Sequence, residues 1–214
     1  MSALEEPIGA TRPRDLPTYP HAAEQGRSPA FWGMVMLLLT EATFFFILFL
    51  SYVYLRFQSG ATWPPPPLPK PKLFLISIMT PILVLSSVPA HLAESGIRKG
   101  KVWRLRLGLI MTIAQAGTFI GLTVVEWTEK IHVEHLKPWT NAYGSIFFTI
   151  VGFHGVHVAV GVLLLLWLLI YAFRGRWTES NHVPVQNIIL YWHFVDFVWL
   201  FIITLLYFSP YWWP

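Results

Sequence analysis

An all-α, polytopic membrane protein built as a bundle of five transmembrane helices is the fold class this sequence predicts. Three observations predict it. Of 214 residues, 55% are hydrophobic and only 12% charged, about half the ~25% of an ordinary soluble domain. The apolar residues gather into five runs, each long enough to cross a bilayer. The basic residues fall mostly in the short connections between those runs, and eleven Trp and eight Tyr suit rings placed at membrane interfaces. Cysteine is absent, which excludes disulfides, thiolate metal sites and thiol nucleophiles. The formal charge of +4 is explained by loop topology, so no nucleic-acid partner is expected.

A spanning helix needs about 20 mostly apolar residues, because the hydrocarbon core is ~30 Å thick and each residue rises ~1.5 Å. Residues 1–28 are polar and Pro-rich and lack a basic-then-apolar signal pattern, which reads as a surface or disordered arm. The membrane domain, 29–214, then holds spans at Phe31 to Leu55, Leu73 to Ala93, Leu105 to Val125, Ala142 to Phe173 and Val185 to Phe208. Between the first two, the run from Trp63 to Pro69 contains five prolines. It cannot continue a helix and is expected to form an extended polyproline segment over the surface.

An odd number of spans puts the termini on opposite faces. The N-terminal side carries Arg12, Arg14, Arg27, Arg98, Lys99, Lys101, Arg104, Arg106, Arg174 and Arg176, against Arg56, Lys70, Lys72, Lys130 and Lys137 on the other. That two-to-one excess predicts a cytoplasmic N-terminus and an outside C-terminus, by the positive-inside rule. Arg98, Lys99 and Lys101 are candidate contacts for anionic lipid headgroups, although the same residues serve simply as topology determinants.

Polar groups at membrane depth are costly, so they mark the candidate site. Glu41 lies about 15 Å into the first span. The fourth span carries Gly152-Phe-His154-Gly-Val-His157, with the histidines at i and i+3 on one face. The fifth carries Tyr191-Trp192-His193-Phe-Val-Asp196, where His193 and Asp196 share a face in the same way. Counting rise, Glu41, His154 and Asp196 fall in one layer. A buried polar cluster between helices is expected, with a histidine as hydrogen-bond partner of one acid. Trp192, Asp196 and Trp199, at i, i+4 and i+7, form a stripe expected to face another helix. The rival reading is ligation of a haem or metal by the histidines, which their spacing on one helix does not decide. Gly117-xxx-Gly121 and Gly152, Gly155 and Gly161 offer flat faces for close helix packing.

At this point the chain resembles a known family, subunit III of the haem-copper respiratory oxidases, over nearly everything from Trp32 onward. Two blocks carry the likeness: Asn141-Ala-Tyr-Gly-Ser-Ile-Phe-Phe-Thr-Ile-Val-Gly-Phe-His-Gly-Val-His-Val158, followed by Gly161, and Tyr191-Trp-His-Phe-Val-Asp-Phe-Val-Trp-Leu-Phe201. Glu41 and the phenylalanines after it, Ala90-His91-Leu-Ala-Glu94 at the exit of the second span, and Glu126-Trp127 near the end of the third add to it.

The resemblance implies a non-catalytic core subunit of cytochrome c oxidase, multi-pass in a bacterial inner membrane. It implies no haem or copper bound by this chain, both belonging to partner subunits I and II, and no catalytic or metal-ligating residue here. The family's longer members have seven spans; this chain matches a short form in which the first span takes the place of the third family helix and Glu41 that helix's buried carboxylate. The implied role is to pack beside subunit I, sustain proton uptake and protect the catalytic subunit during oxygen reduction, with structural phospholipid at its flanks. A subunit of a quinol oxidase or an accessory chain of a nitric oxide reductase is the near alternative. From the residues alone, a stand-alone proton carrier and a membrane haem protein also remain open.

Overall fold

The structure is a computed structural model and describes residues 28–60 and 63–212. The sequence-predicted arm, apart from Ser28, lies outside them. Five helical spans are present: α1 (Pro29–Gln58); α2 (Leu73–Leu85) continued by α3 (Ser87–Arg98); α4 (Val102–His132); α5 (Ala142–Phe173); and α6 (Val183–Ile202), continued by a π-helical segment (Ile203–Phe208) and α7 (Ser209–Trp212). Local chemistry sets several of the ends. Ser28 caps α1, its hydroxyl accepting from the Phe31 N–H at 3.3 Å, with Pro29 in the first turn where no N–H is needed. Asn141 caps α5 in the same way, accepting from the Gly144 N–H at 2.8 Å.

The spans are longer than hydropathy alone defines. α4 begins at Val102 and runs on to His132, through the charged turn holding Glu126, Glu129 and Lys130. That turn is polar in sequence yet helical, because its side chains find partners on neighbouring elements. The second span is broken at Ser86. Pro89 has no N–H to donate to the Leu85 carbonyl, so the helical ladder lapses just before it. The lapse turns the Ser86 and Ser87 hydroxyls toward α6.

Packing around α6 organises the bundle. α6 contacts α1, α2, α3 and α5, while α4 lies between α2–α3 and α5. Of the most apolar stretch of each span, 56% is buried in the last and only 6% in the first. α1 is therefore the outermost helix, and Trp32, Met36, Phe46, Ile47, Leu50 and Tyr54 stand exposed along it.

Two glycines within the spans permit close approaches between helices. A Cβ on Gly108 of α4 would lie 2.3 Å from the Pro89 carbonyl oxygen, and one on Gly161 of α5 would lie 2.8 Å from the Trp192 ring. Gly117, Gly121 and Gly155, read as packing faces in the sequence, have no atom of another helix within 4 Å of that position. Gly117 and Gly121 are exposed, and Gly155 lines an open groove between α4 and α5.

The proline-rich connection also departs from its expectation. It is not an extended polyproline stretch. Trp63 and Pro64 are buried, the Trp63–Pro64 and Pro66–Pro67 bonds are cis, and the Leu68 N–H donates to the Pro65 carbonyl at 3.1 Å, closing a turn. The Trp63 ring packs edge-on against Tyr52 of α1 and Tyr143 of α5, at 5.9 and 5.3 Å between centroids. Burying that large apolar ring draws the segment into the bundle end.

Candidate functional site

The polar groups at membrane depth separate into distinct sets. On α6, Trp192, Asp196 and Trp199 are all buried and each meets a hydroxyl of the second span. The Trp192 indole N–H donates to Ser86 Oγ at 2.9 Å, the Ser87 hydroxyl donates to Asp196 Oδ2 at 2.5 Å, and the Trp199 N–H reaches Thr80 Oγ1 at 3.3 Å. His193 joins the same set, with Nδ1 3.0 Å from Ser87 Oγ. Thr80, Ser86 and Ser87 were missed by sequence reasoning. The only signal was the Ser-Ser pair three residues before Pro89, which marks a helix break without saying which way it faces.

Glu41 pairs with His157, not with His154. His157 Nε2 lies 3.0 Å from Glu41 Oε2, and its Nδ1 lies 2.7 Å from the Phe153 carbonyl oxygen. The Glu41 side chain is 32% exposed at the flank of the bundle. Tyr191 of α6 donates to the His157 carbonyl at 3.1 Å and so ties the fifth span to this pair. His154 stands apart, buried face-on against Trp199 with ring edges from Phe45 and Phe119 around it. Neither of its ring nitrogens has a hydrogen-bond partner among the described residues. The single layer expected of Glu41, His154 and Asp196 is thus an acid–histidine pair, an aromatic-caged histidine and a serine-bound aspartate. Depth follows from counting residues, whereas partners follow from helix rotation, which hydropathy does not carry.

The end of the bundle nearest the N-terminus holds a cavity of about 390 Å³. Its lining includes Ser28 of the α1 cap, Glu94 and Arg98 of α3, and Val183, Gln186 and His193 of α6. Arg98 binds Glu94 at 2.5 Å one helical turn away. With the Gln186 amide oxygen turned toward the guanidinium, Arg98 also donates to it from Nε at 2.9 Å. Of the three basic residues considered for headgroups, Arg98 is therefore engaged within the chain, while Lys99 and Lys101 are exposed. His91 is exposed on α3.

A second polar set closes the opposite end. Tyr207 donates to Glu126 Oε1 at 2.6 Å, and Lys130, one turn on from Glu126, lies 3.5 Å from Glu134. The Lys130 ammonium also sits over the Phe147 and Tyr207 rings. Arg56 donates to Ser209 Oγ at 2.7 Å, and Tyr52 contacts the same hydroxyl. Glu126 was singled out in the sequence; Lys130 and Arg56 were counted there only as loop charges. At the rim, Lys72 is hydrogen-bonded to Glu129, whose carboxylate raises the pKa of this exposed ammonium above the usual lysine value. Among the described residues, no three His, Asp or Glu side chains converge as a metal-holding set.

Comparison with known proteins agrees with this architecture. The family model for cytochrome c oxidase subunit III matches residues 21–214. A probable cytochrome c oxidase subunit 3 of Nocardia farcinica is 32% identical over 82% of this chain and 86% of its own length. The corresponding protein of Thermostichus vulcanus is 34% identical over 82% and 85%, and that of Drosophila melanogaster 33% over 85% and 68%. With five membrane-length helices and a match running from residue 21 to the last residue, the chain belongs to the cytochrome c oxidase subunit III family.

Proposed function

We propose that this chain is the supporting, non-catalytic core subunit of a respiratory haem-copper oxidase, docked beside the catalytic subunit I and near subunit II, where it sustains proton uptake and turnover. The observation that carries the reading is the family match across residues 21–214, joined to a bundle whose intramembrane polar groups largely bond helix to helix. Such groups fix the rotation of each span and present a stiff lateral surface. The exposed apolar length of α1 supplies a face for a partner helix or for lipid. The excess of basic residues on the N-terminal side favours a cytoplasmic N-terminus. Haem and copper are assigned to the partner subunits, and the electron donor is read by those chains.

Deleting this chain from its complex is expected to leave the haem spectrum and the copper content intact. Turnover durability and the rate of proton uptake fall instead. Pigment and metal analysis of the depleted complex, together with the number of turnovers before inactivation, checks this. Loss of a haem or copper with the chain would overturn the supporting role.

A further inference from the structure

The cavity near the N-terminus and the aspartate buried beyond it are joined by a continuous row of hydrogen-bonding atoms. Ser28, Arg98 and Val183 stand at helix ends on the rim, and His193 lies ten residues into α6 from Val183, a depth of about 15 Å. Beyond His193 the row runs Nδ1 to Ser87 Oγ at 3.0 Å, then Ser87 Oγ to Asp196 Oδ2 at 2.5 Å. Asp196 is 6% exposed, and its Oδ1 has no hydrogen-bond partner among the described residues. A network needed for packing alone would be served by Ser87 and Asp196. The added imidazole, with one nitrogen on the serine and its ring lining the cavity, gives the row an entrance.

We propose that this row is a proton relay that loads Asp196 from the N-terminal face, making the aspartate a proton-holding site. The inference rests on the supporting role proposed above and gives it a location. A proton from solvent in the cavity binds His193 Nε2. The Nδ1 proton passes to Ser87 Oγ, and the serine's own proton passes to Asp196 Oδ2. The carboxylate becomes the acid, Ser87 keeps a hydroxyl, and the imidazole ends as the other neutral tautomer. Glu94 and Arg98 line the cavity beside His193, and His91 acts on it electrostatically from α3. These groups set the local potential that an entering proton meets.

Hydrogen–deuterium exchange of the Asp196 carboxyl in the intact, resting oxidase complex tests the relay. The protonated-carboxyl infrared band is assigned by its loss in Asp196→Asn, or by ¹³C-aspartate labelling where that variant does not assemble. It is then timed after mixing into D2O. Ser87→Ala and His193→Phe are each expected to slow exchange by about tenfold or more, the scale of one lost buried hydrogen bond, and Ser87→Thr to restore it. Exchange at the parental rate in Ser87→Ala would overturn the relay, as would the absence of any Asp196 carboxyl band between about pH 5 and 9. Because the haems are idle in this measurement, its failure leaves the supporting role standing. A loss of haem on deletion would in turn leave the exchange result untouched.

Discussion

Gly108→Val is expected to abolish stable incorporation of the chain into its complex, and Gly108→Ala to weaken it. A Cβ at this position would lie 2.3 Å from the Pro89 carbonyl oxygen, 2.8 Å from the Ala93 nitrogen and 2.9 Å from the Ala93 Cβ. Two of those three are backbone atoms, which cannot swing aside as a side-chain tip would. The α3–α4 contact, the most extensive between elements in the bundle, must then open along its length. Overpacking a tight core costs about 1–3 kcal/mol where side chains relax, and a valine against fixed backbone lies at or above the top of that range. Gly117→Ala is the control, since nothing of another helix lies within 4 Å of its Cβ position. It is expected to assemble normally, with alanine favouring the helix by up to ~1 kcal/mol. Recovery of the chain in the purified complex, with the thermal midpoint of that complex, reads both variants. Parental recovery of Gly108→Val would show that the two helices do not meet as described.

What the sequence made legible and what it hid divide along a physical line. Burying a helix in hydrocarbon demands length and apolarity, both of which are written in order along the chain. The five spans could therefore be counted, while the start of α5 at Ala142 is set by the Asn141 cap, which hydropathy does not carry. Rotation about each helix axis is set by side chains far apart in sequence, so depth was readable and partnership was not. His154 and His157 looked equivalent in the fourth span. One faces Glu41, the other an aromatic cage, because the i, i+3 step turns them apart by about 60°. The hydroxyls of Thr80, Ser86 and Ser87 gave no sign of their partners, since serine and threonine bond their own helix backbone as readily as a neighbour. Lys130 and Arg56 looked like interfacial charges. Glu134, Phe147 and the last turns at Tyr207 and Ser209 bring partners to the C-terminal end of the bundle, where both are buried.

Glu134→Ala is expected to destabilise that end by about 3–5 kcal/mol, the cost of leaving one member of a buried ion pair without the other. Lys130 and Glu134 are 5% and 8% exposed at their side chains and lie 3.5 Å apart. Without Glu134, the ammonium keeps the Phe147 and Tyr207 rings, at 5.0 and 6.0 Å. Those cation–π contacts supply about 0.5–2 kcal/mol and do not offset the lost charge. The Glu126 carboxylate, one turn back on the same helical face, accepts from the Tyr207 hydroxyl through Oε1. Its Oε2 has no hydrogen-bond partner among the described residues and offsets part of the lost charge, which places the expected destabilisation at the lower end of its range. Replacing both partners, as Lys130→Met with Glu134→Ala, removes the orphaned charge and lays a flexible thioether against the two rings. The double variant is therefore expected to be more stable than Glu134→Ala alone. Thermal unfolding of the purified complex orders the three proteins, and a double variant no more stable than the single one would refute the account. Salt gives an independent reading. Raising ionic strength to about 1 M should scarcely change the Glu134→Ala effect, because a buried pair is poorly screened. The exposed Lys72–Glu129 pair should contribute little at low salt and less at high.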